Sequence, residues 1–264
     1  MKVQNKTIIV TGAGSGIGRA LTKELLNRQA SVVALDISEE SLLKLKDEEN
    51  SDRLVTFKLD ISNKAEVEKT LGLILKKVET IDGLVNCAGV IQPFKKIIDL
   101  DYKDIERVMN INFYGMVYLT KTALPHLLKR PEAHIANVSS MGGFVPVPGQ
   151  GAYGASKAAV KLFSEALFAE LINTNVGVTT IFPGATETNI SVNSGVKAPE
   201  VSKAQQSKIP MLSAEEVAEQ IADAIESNKV LLCTGKDSKM MNKIYRLNPV
   251  YATKLIAKKM KDLL

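Results

Sequence analysis

Tryptophan is missing from the chain, and histidine occurs only twice, as His126 and His134. Cysteine is equally scarce: Cys87 and Cys233 stand far apart and form no Cys-x-x-Cys pattern. That scarcity argues against a disulfide scaffold and against a zinc site. The two histidines are solitary and lack ligand spacing, so both read as structural or solvent-facing. No apolar run approaches the roughly eighteen residues of a membrane span. The opening segment, MKVQNKTIIVTGAGSG, lacks the long apolar region and cleavage site of a signal peptide, which makes the cytoplasm the expected location. Aromatic residues make up only 5% of the chain, with no stacking platform and no nucleic-acid recognition motif, so no nucleic-acid partner is expected.

The excess of positive charge is local. The chain has 34 basic and 29 acidic residues, a net +5. Residues 236–264 alone carry eight basic residues (Lys236, Lys239, Lys243, Arg246, Lys254, Lys258, Lys259, Lys261) against Asp237 and Asp262, a balance of +6. The remainder is therefore close to neutral. With 45% apolar and 24% charged residues over 264 positions, the composition is that of a soluble globular protein of one domain with a short extension.

Short β-branched runs alternate with helical patterns. Thr7–Thr11, Ser31–Asp36, Leu54–Leu59, Leu84–Cys87, His134–Val138 and Val176–Phe182 read as buried strands, with Val230–Thr234 as a seventh. Ile17–Gln29, Ser38–Asn50, Ala65–Val78, Tyr102–Lys129 and Ala155–Leu171 have apolar residues at three-to-four spacing and read as helices. Steady alternation implies right-handed crossovers and a parallel sheet covered on both faces. The expected fold is a doubly wound α/β domain, Rossmann-like, whose ligands sit beyond the carboxyl ends of the strands. Ser213-x-x-Glu216 ahead of an apolar period reads as a capping box. The catalytic domain is set at 1–235, including a polar, aperiodic substrate loop at 185–212, and the basic extension at 236–264.

The first strand runs into Thr11-Gly12-Ala13-Gly14-Ser15-Gly16-Ile17-Gly18 and then a helix. Glycines allow the tight turn and close backbone approach to a pyrophosphate, while the helix N-terminus supplies N–H donors. Asp36 closes the second strand. A carboxylate there can accept hydrogen bonds from ribose hydroxyls and repels a 2′-phosphate, so NAD is expected over NADP. Tyr153 and Lys157 stand four apart, on one face if helical. A tyrosine titrating near ~10 needs about 4 kcal/mol to reach neutrality, roughly what one ammonium at ~4 Å provides at an effective dielectric of 20. Ser139-Ser140 follow a strand at the edge where ligands bind. Asn112 lies within an apolar helical run, where an amide needs hydrogen-bond partners. Phe94, Phe144 and Ile190 flank these segments and are expected to line an apolar substrate pocket.

In this order, Thr11–Gly18, Asn86-Cys87-Ala88-Gly89, Asn112, Ser140, Tyr153-x-x-x-Lys157 and Pro183-Gly184 resemble the short-chain dehydrogenase/reductase family, over about residues 5–235. The resemblance implies an oxidoreductase moving a hydride between nicotinamide and a secondary alcohol or ketone. It implies Tyr153 as general acid/base, Lys157 as its modulator and a ligand of the nicotinamide ribose, and Ser140 as the group that positions the substrate oxygen. Asn112 would support a water relaying protons to Lys157. Gly12, Ser15, Gly16, Ile17 and Gly18 would hold the pyrophosphate; Asp60 and Ile61 the adenine; Asn86, Ala88 and Gly89 would line the cofactor. Pro183, Gly184 and Thr188 would border the nicotinamide. Serine thirteen residues before the tyrosine is the family's pattern, which selects Ser140 over Ser139. Cys87 stands where a second Asn is often found and reads as a small buried residue. A homodimer or homotetramer is implied. A dinucleotide-binding regulator without turnover is the alternative function. For the tail, a helix packed on the body or on another subunit, a lid, and a basic amphipathic helix giving peripheral membrane contact all remain open.

Overall fold

The computed structural model describes residues 1–197 and 211–260. Seven parallel strands form one sheet in the order β3-β2-β1-β4-β5-β6-β7. They are β1 Thr7–Thr11, β2 Ser31–Asp36, β3 Leu54–Lys58, β4 Gly83–Asn86, β5 Ala133–Val138, β6 Val176–Phe182 and β7 Leu231–Cys233. The doubly wound Rossmann-like architecture expected from the alternation is the one observed. β1 pairs with β2 on one side and β4 on the other, so the order reverses beside β1. That reversal opens the crevice in which open α/β sheets take their ligands.

The strands are rich in apolar residues because both faces are covered. In β1, Ile8 and Val10 join one core cluster while Ile9 joins the other; in β2, Val32 and Ala34 part from Val33 and Leu35 in the same way. The first cluster is closed by α1 (Gly16–Asn27) and α8 (Ala214–Glu226), the second by α3 (Lys64–Val78), α5 (Met116–Leu127) and α6 (Gly151–Leu171). Ser213 caps α8, with both bonds of the capping box formed. Ser38 caps α2 (Glu39–Glu49), which ends at Asn50 in a left-handed conformation, and Asn63 caps α3.

Two helices depart from their expected form. The run Tyr102–Lys129 is three pieces: α4 (Tyr102–Met109), a π-helical turn over Asn110–Gly115, and α5. Apolar periodicity continues through the wide turn, which is why the interruption is invisible in the pattern. At Gly115 a Cβ would lie 2.8 Å from the Ile61 side chain, so the chain passes close there. Helix α6 starts at Gly151, four residues earlier than expected, and within it Gly154 packs close to the Gly142 carbonyl. Tyr153 therefore lies inside the helix.

The tail is not a separate body. Helices α9 (Gly235–Leu247) and α10 (Pro249–Lys259) bury Met241, Ala252 and Ile256 against Phe144, Val145, Phe182 and Cys233. In the loop 185–212, the segment 198–210 lies outside the described residues. A short helix, α7 (Ile190–Asn193), precedes it. No helix among the described residues is long and apolar enough to cross a membrane.

Candidate active site

A cleft of about 580 Å³ runs along the carboxyl ends of the strands, from Asp36 and Ser41 past the glycine turn to Ser140, Tyr153 and Pro183. Its floor is set by the glycine turn. Thr11 Oγ1 accepts the backbone N–H groups of Cys87 and Ala88, each at 3.0 Å, and so ties the ends of β1 and β4 together. Gly12 has φ +68°, and a Cβ there would lie 2.8 Å from Ala88 Cα. Ser15 precedes the first turn of α1 without capping it. Peptide N–H groups, the helix N-terminus and bare glycine backbone make a cradle suited to a pyrophosphate. The residues present thus fit a dinucleotide.

Asp36 sits at one end of this cradle. Its Oδ2 accepts the Gly14 N–H and its Oδ1 accepts the Ser38 N–H, both at 2.9 Å. The carboxylate is therefore held in one orientation at the cleft wall. Gly14 is required: a Cβ there would fall 2.9 Å from the carboxylate and 2.8 Å from Ser41 Cβ. Asp60 lines the cleft nearby, its Oδ1 accepting from both the N–H and the hydroxyl of Ser62.

At the other end, Lys157 Nζ donates to the Val138 carbonyl at 2.9 Å and lies 6.0 Å from the centre of the Tyr153 ring. Burial lowers the Lys157 ammonium to about 8. Burial also raises the Tyr153 phenol, against a lowering hydrogen bond from Ser140. The protein's own groups thus do not produce the acidified phenol that the Tyr–Lys spacing suggests. The raising cause is the burial of the phenol itself; Lys157, at about 8, still carries its charge near neutral pH. Ser140 Oγ accepts the Gly142 N–H at 3.0 Å and faces the cleft. Ser139 also lines the cleft, but it is buried and spends its hydroxyl on the Lys157 carbonyl at 2.7 Å. Cys87 also lines the cleft, but desolvation pushes its thiol up to about 12, so it stays neutral.

The cleft brings together Gly12, Ser15, Gly16, Ile17, Gly18, Asp36, Asp60, Ile61, Ala88 and Gly89. Ser140, Tyr153, Lys157, Pro183, Gly184, Thr188 and Ile190 line it as well. Four expected residues do not line it. Asn86 is buried in the sheet, donating to Asn137 Oδ1 at 2.8 Å and Thr120 Oγ1 at 3.1 Å; it braces β4 against β5 and α5. Asn112 is fully engaged: its Oδ1 accepts the Val90 N–H at 2.8 Å, and its Nδ2 donates to the Val90 carbonyl and to Ser156 Oγ. That amide staples the π turn to the loop after β4, although Oδ1 and Lys157 Nζ both approach Gly89. Phe144 is buried with its ring 5.4 Å from Phe182 and 6.1 Å from Tyr245, in the tail cluster, because the tail supplies an apolar partner on that side. Phe94 is half-buried away from the cleft wall.

Some residues in and behind the cleft carry no local sequence signal. Arg107 lines the cleft and donates from Nη2 to the Ser194 carbonyl at 3.0 Å. Asn193 Nδ2 donates to Ser15 Oγ at 2.8 Å, laying α7 across the glycine turn. Gln92, fully buried, accepts the Tyr153 N–H at 3.0 Å and donates to the Gly149 carbonyl. It fixes the turn of α6 that carries the tyrosine. These contacts span tens of residues, so only spacing-independent proximity reveals them.

The family model described as short chain dehydrogenase matches residues 6–198. A putative oxidoreductase, SadH, of Mycobacterium tuberculosis is 30% identical, over 96% of this chain and 95% of its own. The NADP-dependent 3-hydroxy acid dehydrogenase YdfG of Escherichia coli is 36% identical over 67% of this chain and 71% of its own. Among solved structures, a closed serine dehydrogenase complexed with NADP+ superposes with a TM-score of 0.73 at 33% identity, covering 81% of this chain and 86% of that one. A short chain dehydrogenase/reductase from Burkholderia phymatum in complex with NAD shares the fold, with a TM-score of 0.82 at 24% identity over 94% and 96% of the two chains.

Proposed function

This chain belongs to the short-chain dehydrogenase/reductase family of oxidoreductases, and from that premise we propose that it interconverts an apolar secondary alcohol and its ketone with NAD as the preferred coenzyme. The observation that carries the reading is the convergence of Ser140, Tyr153 and Lys157 on the same cleft as the glycine cradle and Asp36. When bound, the nicotinamide supplies the hydride exchange and, oxidised, a positive charge beside the phenol. Tyr153 takes the alcohol proton in oxidation and returns it in reduction. Ser140 donates to the substrate oxygen and orients it toward the tyrosine. Lys157, fixed on the Val138 carbonyl, would hold the nicotinamide ribose, and its ammonium adds positive charge near the phenol. Asn112 shapes this end of the site through Val90 and Ser156 rather than by facing the cleft.

Asp36 supports the coenzyme preference, because its oriented carboxylate suits ribose hydroxyls and opposes a phosphate. Relatives that use NADP make this a point to test rather than to inherit. Ile190 and Pro183 at the cleft's edge support an apolar substrate. Exposed Tyr102, Tyr114 and Leu162 on α4, the π turn and α6 support burial against another subunit in a homodimer or homotetramer.

Fluorescence titration with both reduced coenzymes, and turnover with a panel of apolar secondary alcohols and ketones, tests the proposal. NADH should bind more tightly than NADPH. Tyr153→Phe should lower kcat by roughly 10²–10⁴ while leaving NADH binding within about twofold. Unchanged turnover in that variant refutes the assigned chemistry; tighter NADPH binding refutes the role of Asp36.

A further inference from the structure

The tail hairpin has two unlike faces. Its inner face packs Met241, Ala252 and Ile256 against Phe144 and Phe182. Its outer face leaves Leu247 87%, Val250 62%, Tyr251 56% and Met240 47% exposed. Three of these, Leu247, Val250 and Tyr251, flank Asn248, where α9 meets α10. That junction is a fixed structure: Pro249 occupies the first helical turn, and Asn248 Oδ1 accepts the Tyr251 N–H at 2.9 Å.

Positive charge runs along both helices that meet at the exposed tip. Along α9, Lys236, Lys239, Lys243 and Arg246 recur every three or four residues and are exposed, on the stripe that also carries Met240 and Leu247. On α10, Lys254, Lys258 and Lys259 are exposed as well. None of these forms an ion pair among the described residues. Asp237 is the sole acidic residue within 235–260, and its carboxylate is half-buried and committed to the Ala185 N–H.

A single exposed leucine needs no explanation, but an apolar tip where two helices with exposed charge of one sign meet does. We propose that this hairpin seats on an anionic lipid surface, with Leu247, Val250 and Tyr251 entering the headgroup region and the basic side chains lying over the lipid phosphates. Amphipathic basic helices bind such surfaces through apolar insertion plus electrostatic attraction. A second copy of the chain fits this face poorly, since it would oppose like charges. Nucleic acid fits poorly too: Tyr251 stands alone, and aliphatic side chains offer bases no stacking platform. The inner packing keeps the hairpin anchored to the catalytic body, so contact with lipid does not require the tail to unfold.

The full chain would be sedimented with unilamellar vesicles of phosphatidylcholine alone, or of phosphatidylcholine and phosphatidylglycerol in equal parts. Binding should be at least about tenfold tighter to the mixed vesicles and should fall steeply on raising salt from about 0.1 to 0.5 M. Two variants, Leu247→Ser/Val250→Ser and Lys243→Gln/Arg246→Gln/Lys254→Gln, should each weaken binding by about tenfold or more. Both should keep the basal turnover and melting temperature, because no substituted residue lies in the cleft or the tail cluster. Equal binding to the two vesicles, binding that survives either variant, or retention on a DNA duplex without any on vesicles would overturn the proposal.

Discussion

Asp237, in the first turn of the Gly235–Leu247 helix, accepts the backbone N–H of Ala185 through Oδ2 at 2.7 Å. This joins the basic tail to the turn after β6, whose Pro183 and Gly184 line the cleft. Ser238 adds a second tie, donating to the Phe182 carbonyl at 2.8 Å. Gly184 and Gly235, the latter at φ +80°, make room for the Asp237 carboxylate, which a Cβ on either would strike. Charge-assisted bonds to backbone N–H groups are stronger than neutral ones. Asp237→Ala should therefore lower kcat/KM by about tenfold and raise the KM for coenzyme, while Asp237→Asn, which keeps an acceptor, recovers most of the loss. Steady-state kinetics with coenzyme varied reads this directly. Equal kinetics for Ala and wild type would mean the tie does not position the loop.

The buried lysine makes the protein's stability depend on pH. Lys157 titrates at about 8 in the folded chain, below its ordinary 10.5. Between those values the unfolded chain binds more protons than the folded one, so stability rises with pH across that window. Below about 8 both states are protonated and the penalty is constant. Relative to Lys157→Met, the wild type should gain about 2 kcal/mol of stability between pH 7 and 9.5. Urea unfolding of both proteins at the two pH values measures the difference. A constant gap would show that the ammonium is not desolvated at that site.

Much of this site is legible in the sequence because its chemistry is local. The glycine turn, Asp36 and the Tyr153–Lys157 pair depend on short spacings, and a strand or helix converts such spacings into direction. What escaped was set at long range. Asn86 ends β4 like a cleft residue, yet its register opposite Asn137 turns its amide into the sheet. The fold class followed from alternation alone, but the π turn at Asn110–Gly115 could not, since its apolar period is unbroken. Phe144 lies beside Ser140 in sequence, and its burial under the tail depends on residues a hundred positions away.

The segment after β6 is fastened over the glycine turn by three bonds from different elements. Arg107 holds the Ser194 carbonyl at 3.0 Å, the Ile91 N–H donates to Ser194 Oγ at 3.0 Å, and Asn193 reaches Ser15. Removing one such bond costs about 1 kcal/mol, or severalfold in affinity. Arg107→Ala and Asn193→Ala should each raise coenzyme Kd about three- to tenfold and speed its release, with the melting temperature little changed. Stopped-flow displacement of NADH gives the release rate. Unaltered release in both variants would remove the segment from coenzyme retention.

Phe144 and Ile190 were both expected to line the substrate pocket, and the structure separates them. Phe144 is buried in the tail cluster, whereas Ile190 lines the cleft. Truncating a buried phenylalanine leaves a cavity and typically costs about 3–5 kcal/mol. Phe144→Ala should therefore lower the unfolding free energy by about 3 kcal/mol and leave the ranking of substrates by kcat/KM unchanged. Ile190→Ala, at a half-buried position on a short helix, should do the reverse: stability nearly unaltered, but kcat/KM for bulky apolar substrates shifted by several-fold relative to small ones. Thermal unfolding and a homologous series of ketones, applied to both variants, decide between a packing role and a pocket role. A changed ranking in Phe144→Ala with normal stability would return that ring to the pocket wall.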